Sequence, residues 1–241
     1  MVSSHKLLII EGNIGAGKST LLKLLSPNLN LEVIPEPTDK WQHIADGENL
    51  LELFYKDTPR WAYTFQSNAF LTRIQAIFEH QKKSPDKEIF LLERSIYCDR
   101  FCFAKNCFES GLMSPLEWHI YKNWFAWLSE NHTPTPSGFI YLRTTPEVAF
   151  ERLNKRNRYE ETGVTLDYLK LLHQKHEDWL IGKQDVPAYL KDVPVLIVEC
   201  DTEFEHNQER QKKIADNIHQ FIQSVTPSLV NKQTPSISSW L

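Results

Sequence analysis

Residues 12–19 read Gly-Asn-Ile-Gly-Ala-Gly-Lys-Ser, which fits the spacing G-x-x-x-x-G-K-[ST]. Each residue type in it has a chemical task. Glycines let backbone N–H groups curl around phosphate oxygens without side-chain clashes. A helix beginning at Ser19 would add more donors and the positive end of its dipole. Lys18 would neutralise β- and γ-phosphates, and the Ser19 hydroxyl could ligate Mg²⁺. Gly12, Asn13, Ile14, Gly15, Ala16, Gly17, Lys18, Ser19 and Thr20 are therefore expected to hold a nucleoside triphosphate. Composition points to the same place. The chain has only eight glycines in 241 residues, and Gly12, Gly15 and Gly17 fall within one short stretch.

The motif specifies a phosphate donor and leaves the acceptor open. Glu36, flanked by Pro35 and Pro37, is held in a fixed direction and could take the proton of an attacking hydroxyl. Glu93-Arg94-Ser95 closes an apolar run. An acid there matches the position that holds Mg²⁺, and Arg94 could steer a substrate oxygen and orient Glu36. Arg152, Lys155, Arg156 and Arg158 form a local basic cluster, with Arg152 and Arg156 on one helical face, that could close over a transferring phosphoryl group. Gln66 and Arg73 share a helical face with Ala69 between them, and Asp99 follows the Glu93 segment. With Tyr55, Phe65 and Phe103 nearby in sequence, these could grip a flat polar heterocycle. Plainer readings stand beside each: an exposed loop carboxylate, a strand-end ion pair, a solvated basic face and an outer helix face.

Such groups need a scaffold. Five continuous Ile/Leu/Val-rich runs, Lys6–Glu11, Leu31–Pro35, Glu88–Leu92, Gly138–Leu142 and Val193–Glu199, read as strands of a parallel sheet covered on both faces. Helices are expected over Ser19–Leu25, from Thr58-Pro59 to Lys83 with Thr58 as cap, and from the capping box Ser114-Pro115-Leu116-Glu117 to Glu130. Two more are expected over Thr165–Leu180 and Asn207–Ser224. The aromatics Trp118, Tyr121, Trp124, Phe125 and Trp127 cover more than one helical face, which suits core packing, a subunit interface, or both. Ligands in open sheets of this kind sit beyond the carboxyl ends of the strands, where the phosphate loop, Glu36 and Glu93 would all fall. The α/β chain is expected to form a single domain over 1–225, with a lid at about 152–163 and a mobile tail over 226–241.

Charge and cysteine usage narrow the class. A net charge of −4 argues against a general nucleic-acid surface. No run approaches the ~20 apolar residues of a membrane helix, and Met1–Lys6 leaves no room for a signal or transit peptide, so a cytoplasmic protein is expected. Cys98, Cys102, Cys107 and Cys200 form no C-x-x-C pair and read as buried thiols; His173 and His176 read as surface histidines.

Several strings together resemble the deoxycytidine/deoxyguanosine kinase family of deoxynucleoside kinases. They are Glu11-Gly12-Asn13-Ile14 leading into the phosphate loop, Pro35-Glu36-Pro37, Arg60-Trp61-Ala62-Tyr63-Thr64-Phe65-Gln66, Glu93-Arg94-Ser95-Ile96-Tyr97-Cys98-Asp99-Arg100 and Arg156-Asn157-Arg158-Tyr159-Glu160-Glu161. The match extends from about Lys6 to the last helix. The resemblance implies a P-loop kinase fold, five parallel strands with helices on both faces, and a homodimer. It implies transfer of the γ-phosphoryl of ATP or another nucleoside triphosphate to the 5′-hydroxyl of a deoxynucleoside. By position it makes Glu36 the general base, with Arg94 on the 5′-hydroxyl, Ser19 and Glu93 on Mg²⁺, and Arg152, Arg156 and Arg158 the lid arginines. It puts Tyr55 and Glu161 on the 3′-hydroxyl. Gln66, Arg73 and Asp99 would read a base lying between Phe65 and Phe103, and Glu203-Phe204 would lie against the donor's base.

In thymidine-preferring relatives the positions of Arg73 and Asp99 are apolar. The charged pair here suits the amino group and ring nitrogen of cytosine, adenine or guanine, so poor thymidine activity is expected. Glu117-Trp118-His119-Ile120-Tyr121 and Gly138-Phe139-Ile140-Tyr141-Leu142 look closest to the deoxyguanosine branch, while Ala69 is as in the deoxycytidine branch. The lean is to deoxyadenosine or deoxyguanosine, with deoxycytidine still open. Three competing readings are a nucleoside monophosphate kinase, which needs a second anion site, a GTPase, which needs an absent N-K-x-D segment, and an inactive nucleotide-binding module.

Overall fold

A computed structural model describes residues 5–25 and 31–227. Among them five strands, β1 (Lys6–Gly12), β2 (Glu32–Ile34), β3 (Ile89–Glu93), β4 (Gly138–Arg143) and β5 (Val195–Glu199), form one sheet in the order β2-β3-β1-β4-β5. All four pairings are parallel, with Ile10 opposite both Glu93 and Ile140. The central strands are apolar through their middles, with charged residues only at or next to their ends, because each face is covered by a separate core. Leu7 and Ile9 of β1 join Phe90, Leu92, Phe139 and Tyr141 on one side. Leu8 and Ile10 join Leu91, Ile140 and Leu142 on the other. A one-residue register slip would exchange these two sets, so the double burial pins the register.

The expectation of full cover fails at the sheet's margins. β5 pairs with β4 alone, and Val195 and Leu196 are half-buried while Ile197 is exposed. β2 spans three residues, of which only Ile34 is buried. An edge strand is screened on one side only, so its apolar run does not imply burial.

The helices are α1 (Lys18–Leu25), α2 (Asp39–Gln42), α3 (Leu50–Lys56), α4 (Thr58–Lys83), α5 (Ile96–Cys98), α6 (Ala104–Glu109), α7 (Pro115–Asn131), α8 (Pro146–Arg156), α9 (Leu166–His176), α10 (Ala188–Lys191) and α11 (Gln208–Val225). α4 is capped by Asp57, whose side chain accepts from the Arg60 N–H, and not by Thr58, which lies in the first turn and donates its hydroxyl to the Phe54 carbonyl. Ser114 and Glu117 form the expected capping box of α7. Between α5 and α6 the chain takes a wider π-helical turn at Asp99–Phe103, and a second one at Glu177–Ile181 extends α9 over the remainder of the expected helix.

Thr226 closes α11 with a hydroxyl bond to the Ile222 carbonyl. The rest of the expected tail, from residue 228, lies outside the described residues. No described helix is long and apolar enough to cross a membrane.

His176 corrects the sequence reading. It is fully buried, with Nε2 at 3.4 Å from Cys98 Sγ and Nδ1 at 3.2 Å from Cys102 Sγ. Nδ1 also lies 2.7 Å from the Leu172 carbonyl, and the ring stacks on Tyr141. The apolar spacing Leu169, Leu172, His176 on α9 carried this signal, since it places the histidine on the buried face. His173 is half-buried, and burial lowers its pKa. All four cysteines are free and buried, as expected.

Candidate active site

The phosphate loop joins β1 to α1, and its shape depends on the glycines. Gly15 has φ +80°, and a Cβ there would stand 2.3 Å from the Ala149 carbonyl of α8. Gly12 has φ +151°, and its Cβ would stand 2.7 Å from the Leu142 carbonyl. These two clearances let the loop nest between β4 and α8. Asn13 locks it from the far side, its Nδ2 donating to the Leu169 carbonyl and its Oδ1 accepting from the Ile14 N–H. Gly12, Asn13 and Ala16 therefore shape the loop from behind, while Ile14, Gly15, Gly17, Lys18, Ser19 and Thr20 border the cleft in front. Replacing Gly15 by valine should abolish triphosphate binding and lower thermal stability by about 1–3 kcal/mol from backbone strain alone. Calorimetric titration with ATP and thermal unfolding check both.

Lys18 is buried and turned onto the Gly12 and Asn13 carbonyls, at 3.1 and 2.8 Å. Burial, with Arg94 next in effect, pulls its pKa down to about 8. The charged ammonium is thus penalised in the unliganded fold, and that penalty disappears as pH rises from about 8 to the ordinary lysine range near ~10.4. A bound phosphate would restore the charge. Triphosphate affinity should accordingly fall roughly 30-fold between about pH 7 and 9.5. Titration at the two pH values measures this, and Lys18→Gln should bind weakly at both.

Beside the loop, the Ser19 hydroxyl donates to Glu93 Oε1 at 2.5 Å. The two groups expected to serve a divalent ion are thus in contact, an oxygen-only set suited to Mg²⁺. Arg94 follows with φ +64°, a conformation that costs a non-glycine residue about 1–2 kcal/mol. Its backbone N–H donates to the Ile10 carbonyl, and its side chain turns back to Glu36, with Nε at 3.1 Å from Oε1. Its guanidinium lies 4.7 Å over the Phe103 ring.

Glu36 receives a second guanidinium, because Arg73 Nη2 lies 2.6 Å from the same oxygen. Burial raises the Glu36 pKa, but Arg94 and then Arg73 outweigh it and hold the carboxyl at about 2. Arg73 also donates Nε to Asp99 Oδ2 at 2.8 Å, so it bridges the two carboxylates. Burial raises the Asp99 pKa, with Arg73 opposing. The expected link between Arg94 and Glu36 is present; the Arg73–Glu36 contact had no counterpart in the sequence reading.

Gln66, Ala69 and Arg73 sit on the buried face of α4 as their spacing requires. Gln66 is buried, and neither Nε2 nor Oε1 has a partner among the described residues. A buried amide with both ends unsatisfied costs about 1–3 kcal/mol, and here it faces a cleft. That cleft, about 540 Å³, runs from the phosphate loop past Glu36 to Gln66, Arg73 and Asp99. The π-turn after α5 carries two of its walls, Asp99 and Phe103. Such turns recur where a side chain must be re-aimed toward a site.

Three aromatic or aliphatic walls escaped the sequence reading: Trp41, Leu51 and Phe54. Trp41 meets Phe65 edge-on at 5.4 Å, and Phe54 stacks on Phe65 at 4.6 Å. Trp41 also donates its indole N–H to Thr72 and lies under the Arg73 guanidinium. One large aromatic inside the polar run Thr38–His43 was the available signal.

Over the cleft's other rim, Arg152, Lys155, Arg156 and Arg158 all border the opening. Arg152 donates to the Asp201 carbonyl, while Arg156 and Arg158 reach Glu161 at 2.5 and 3.7 Å. Glu161 is buried, whereas Glu160 accepts from Gln42 and Asn49 and pairs with neither arginine. Tyr55 borders the cleft with Glu161, and its phenol is pushed above the ordinary range by burial and then by that carboxylate. Glu203 and Phe204 flank the phosphate loop, the Phe204 ring standing 3.1 Å from where a Gly17 Cβ would be.

Comparison with known proteins follows the same lines. The family model described as deoxynucleoside kinase matches residues 8–223. Deoxycytidine kinase 2 of Gallus gallus is 41 % identical, covering 89 % of this chain and 89 % of its own. A probable deoxycytidine kinase of fowlpox virus is 41 % identical over 92 % of this chain and 90 % of its own. A mitochondrial deoxyguanosine kinase of Xenopus laevis is 36 % identical over 90 % and 89 %.

Proposed function

The chain belongs to the deoxynucleoside kinase family, and from that premise we propose which acceptor and donor it uses and how its residues divide the work. It is a phosphotransferase that uses a nucleotide phosphate donor and acts on nucleosides. We read the acceptor as a deoxynucleoside whose base carries an amino group beside a ring nitrogen. The observation that carries this is the unpartnered Gln66 amide opposite the Arg73–Asp99 pair. The amide can pair with the edge of any base, so the choice falls to its neighbours: Asp99 wants a donor and Arg73 an acceptor, which the amino group and ring nitrogen of cytosine, adenine or guanine supply. Thymine would set a carbonyl where an amino group is wanted, leaving buried groups unpaired. The names of the relatives make deoxycytidine and deoxyguanosine the first substrates to assay, whereas the sequence alone leaned to deoxyadenosine or deoxyguanosine.

The donor is ATP, with its phosphates over the Gly15–Thr20 backbone and Lys18. Ser19 and Glu93 would hold Mg²⁺, which neutralises β/γ-phosphate charge when bound. Glu36, ionised and aimed by Arg94 and Arg73, accepts the 5′-hydroxyl proton as the new P–O bond forms. Arg152, Arg156 and Arg158 close over the transferring group, and Tyr55 and Glu161 take the 3′-hydroxyl. Phe65 and Phe103 face the base, and Glu203-Phe204 lies by the donor's base. A phosphoryl-transfer assay across deoxycytidine, deoxyguanosine, deoxyadenosine and thymidine tests the reading. Thymidine should trail by about 10²-fold or more in kcat/KM; equal use of thymidine would sink it.

The exposed faces of two helices fit a homodimer. Trp124 and Trp127 of α7 are each about half exposed, with Ile120 and Leu116 beside them, and α4 exposes Leu71 and Phe78. Trp124→Glu with Trp127→Glu should convert a dimer to monomer in light scattering; an unchanged mass would remove this face from the role.

A further inference from the structure

Glu11 is the last side chain of β1 before the phosphate loop and is fully buried. It does not border the cleft. Its Oε1 accepts the Ser95 hydroxyl at 2.5 Å, and its Oε2 has no partner among the described residues. Burial and the Cys98 thiol push its pKa well above the ordinary carboxylate range. A buried acid is an expensive way to fill space, and the transfer chemistry described above gives this one no task.

Its surroundings suggest one. Ser95 Oγ, besides donating to Glu11, accepts from the Tyr97 and Cys98 N–H groups at 3.2 and 3.4 Å, capping α5. The residue before Ser95 is Arg94, held at φ +64°. Its own N–H is tied to the Ile10 carbonyl. The strained turn is thus gripped on both sides by consecutive residues of β1: Ile10 holds its entry and Glu11, through Ser95, its exit. The same strand continues directly into Gly12. Arg94 in turn reaches Glu36 with Nε and Cys98 with Nη1.

We propose that Glu11 is a positioning residue: through Ser95 it keeps Arg94 in its left-handed turn and so fixes the Arg94–Glu36 pair relative to the phosphate loop. Without it the exit of the turn loses its tether to β1, and the Ile10 bond alone ties Arg94 to that strand against relaxation toward ordinary backbone angles, which would swing its side chain away from Glu36. The inference rests on the transfer reaction proposed above. Its defining prediction is non-additivity, because Glu11 and Ser95 act as one link.

The test compares Glu11→Ala, Glu11→Gln, Ser95→Ala and the Glu11→Ala/Ser95→Ala double variant in the full chain. Glu11→Ala and Ser95→Ala should each lower kcat by about 10²-fold, the loss expected from a misplacement near 1 Å. The KM for ATP should stay unchanged, because the loop backbone is held separately by Asn13, which donates to the Leu169 carbonyl. The double variant should be no worse than either single one. Glu11→Gln should recover most of kcat, since its amide oxygen can accept from Ser95. Hydrogen exchange over 93–98 should quicken in Glu11→Ala and not in Glu11→Gln. If Glu11→Ala does not fold, the Ser95→Ala and Glu11→Gln pair decides the matter. Multiplying single losses, or a lower melting temperature with kcat intact, overturns the proposal. A wild-type chain that phosphorylates no deoxynucleoside would refute the functional reading instead, and the exchange measurement would still report on the link.

Discussion

Glu36→Gln should lower kcat by about 10²–10⁴-fold while ATP still binds. The substitution keeps the side chain's volume and removes the proton acceptor, so the chemical step carries the loss. Its surroundings make a second effect inevitable. Arg94 and Arg73 both address Glu36 Oε1, at 3.1 and 2.6 Å. Arg73 retains Asp99, but Arg94 keeps no acidic ion-pair partner among the described residues. Breaking a buried pair on one side costs about 3–5 kcal/mol, less here because Glu36 is partly exposed. The pH dependence should change with it. Glu36 titrates at about 2 in the fold, below its unfolded value near ~4.3, so its stabilisation is present above that value and lost as pH falls toward 2. Glu36→Gln should therefore flatten the acid limb of a melting-temperature profile. Near-normal turnover in single-turnover kinetics would remove Glu36 from the role of base.

Replacing the Arg73–Asp99 pair should shift the ratio of thymidine to deoxycytidine kcat/KM by about 10²-fold or more toward thymidine. From sequence this looked like a change of specificity alone. Arg73, however, is bonded to Asp99 and to Glu36 at once. Arg73→Met alone should thus be the most damaging single change in the pocket, stranding the buried Asp99 and loosening Glu36 together. Arg73→Met with Asp99→Ala should regain stability relative to Arg73→Met, because no carboxylate is left unpaired. Its kcat should remain below wild type on every deoxynucleoside, since Glu36 is then aimed by Arg94 alone. Steady-state kinetics on thymidine and deoxycytidine with thermal melts separate the effects. An unchanged thymidine ratio in the double variant means the pair is not the discriminator.

These two expectations show how chemistry is partitioned in the site. In the proposed reading most donor-phosphate contacts come from one continuous loop, whereas the base and the 5′-hydroxyl are met by α4, the π-turn after α5 and the segment after β2. Those elements meet only because β2 and β3 lie side by side in the sheet. Arg156 and Arg158 are engaged with Glu161, and Arg152 with the Asp201 carbonyl.

Local chemistry was enough to determine some of this protein. The phosphate loop, the five apolar runs, the Ser114 capping box and the Gln66–Ala69–Arg73 face follow from backbone needs and periodicities a few residues long. The tertiary structure decided what periodicity does not encode. An apolar run reads the same at the centre of a sheet and at its edge, so the exposure of Ile197 depended on β5 having one neighbour. His176 is buried because α9 packs it against Cys98 and Cys102, 74 to 78 residues away in the chain. The double role of Arg73 likewise required Glu36 and Asp99, 37 and 26 residues away, to converge on one guanidinium. Interaction energies fall off over a few ångströms, so pairs so far apart in sequence acquire a relation only when the sheet brings their strands together.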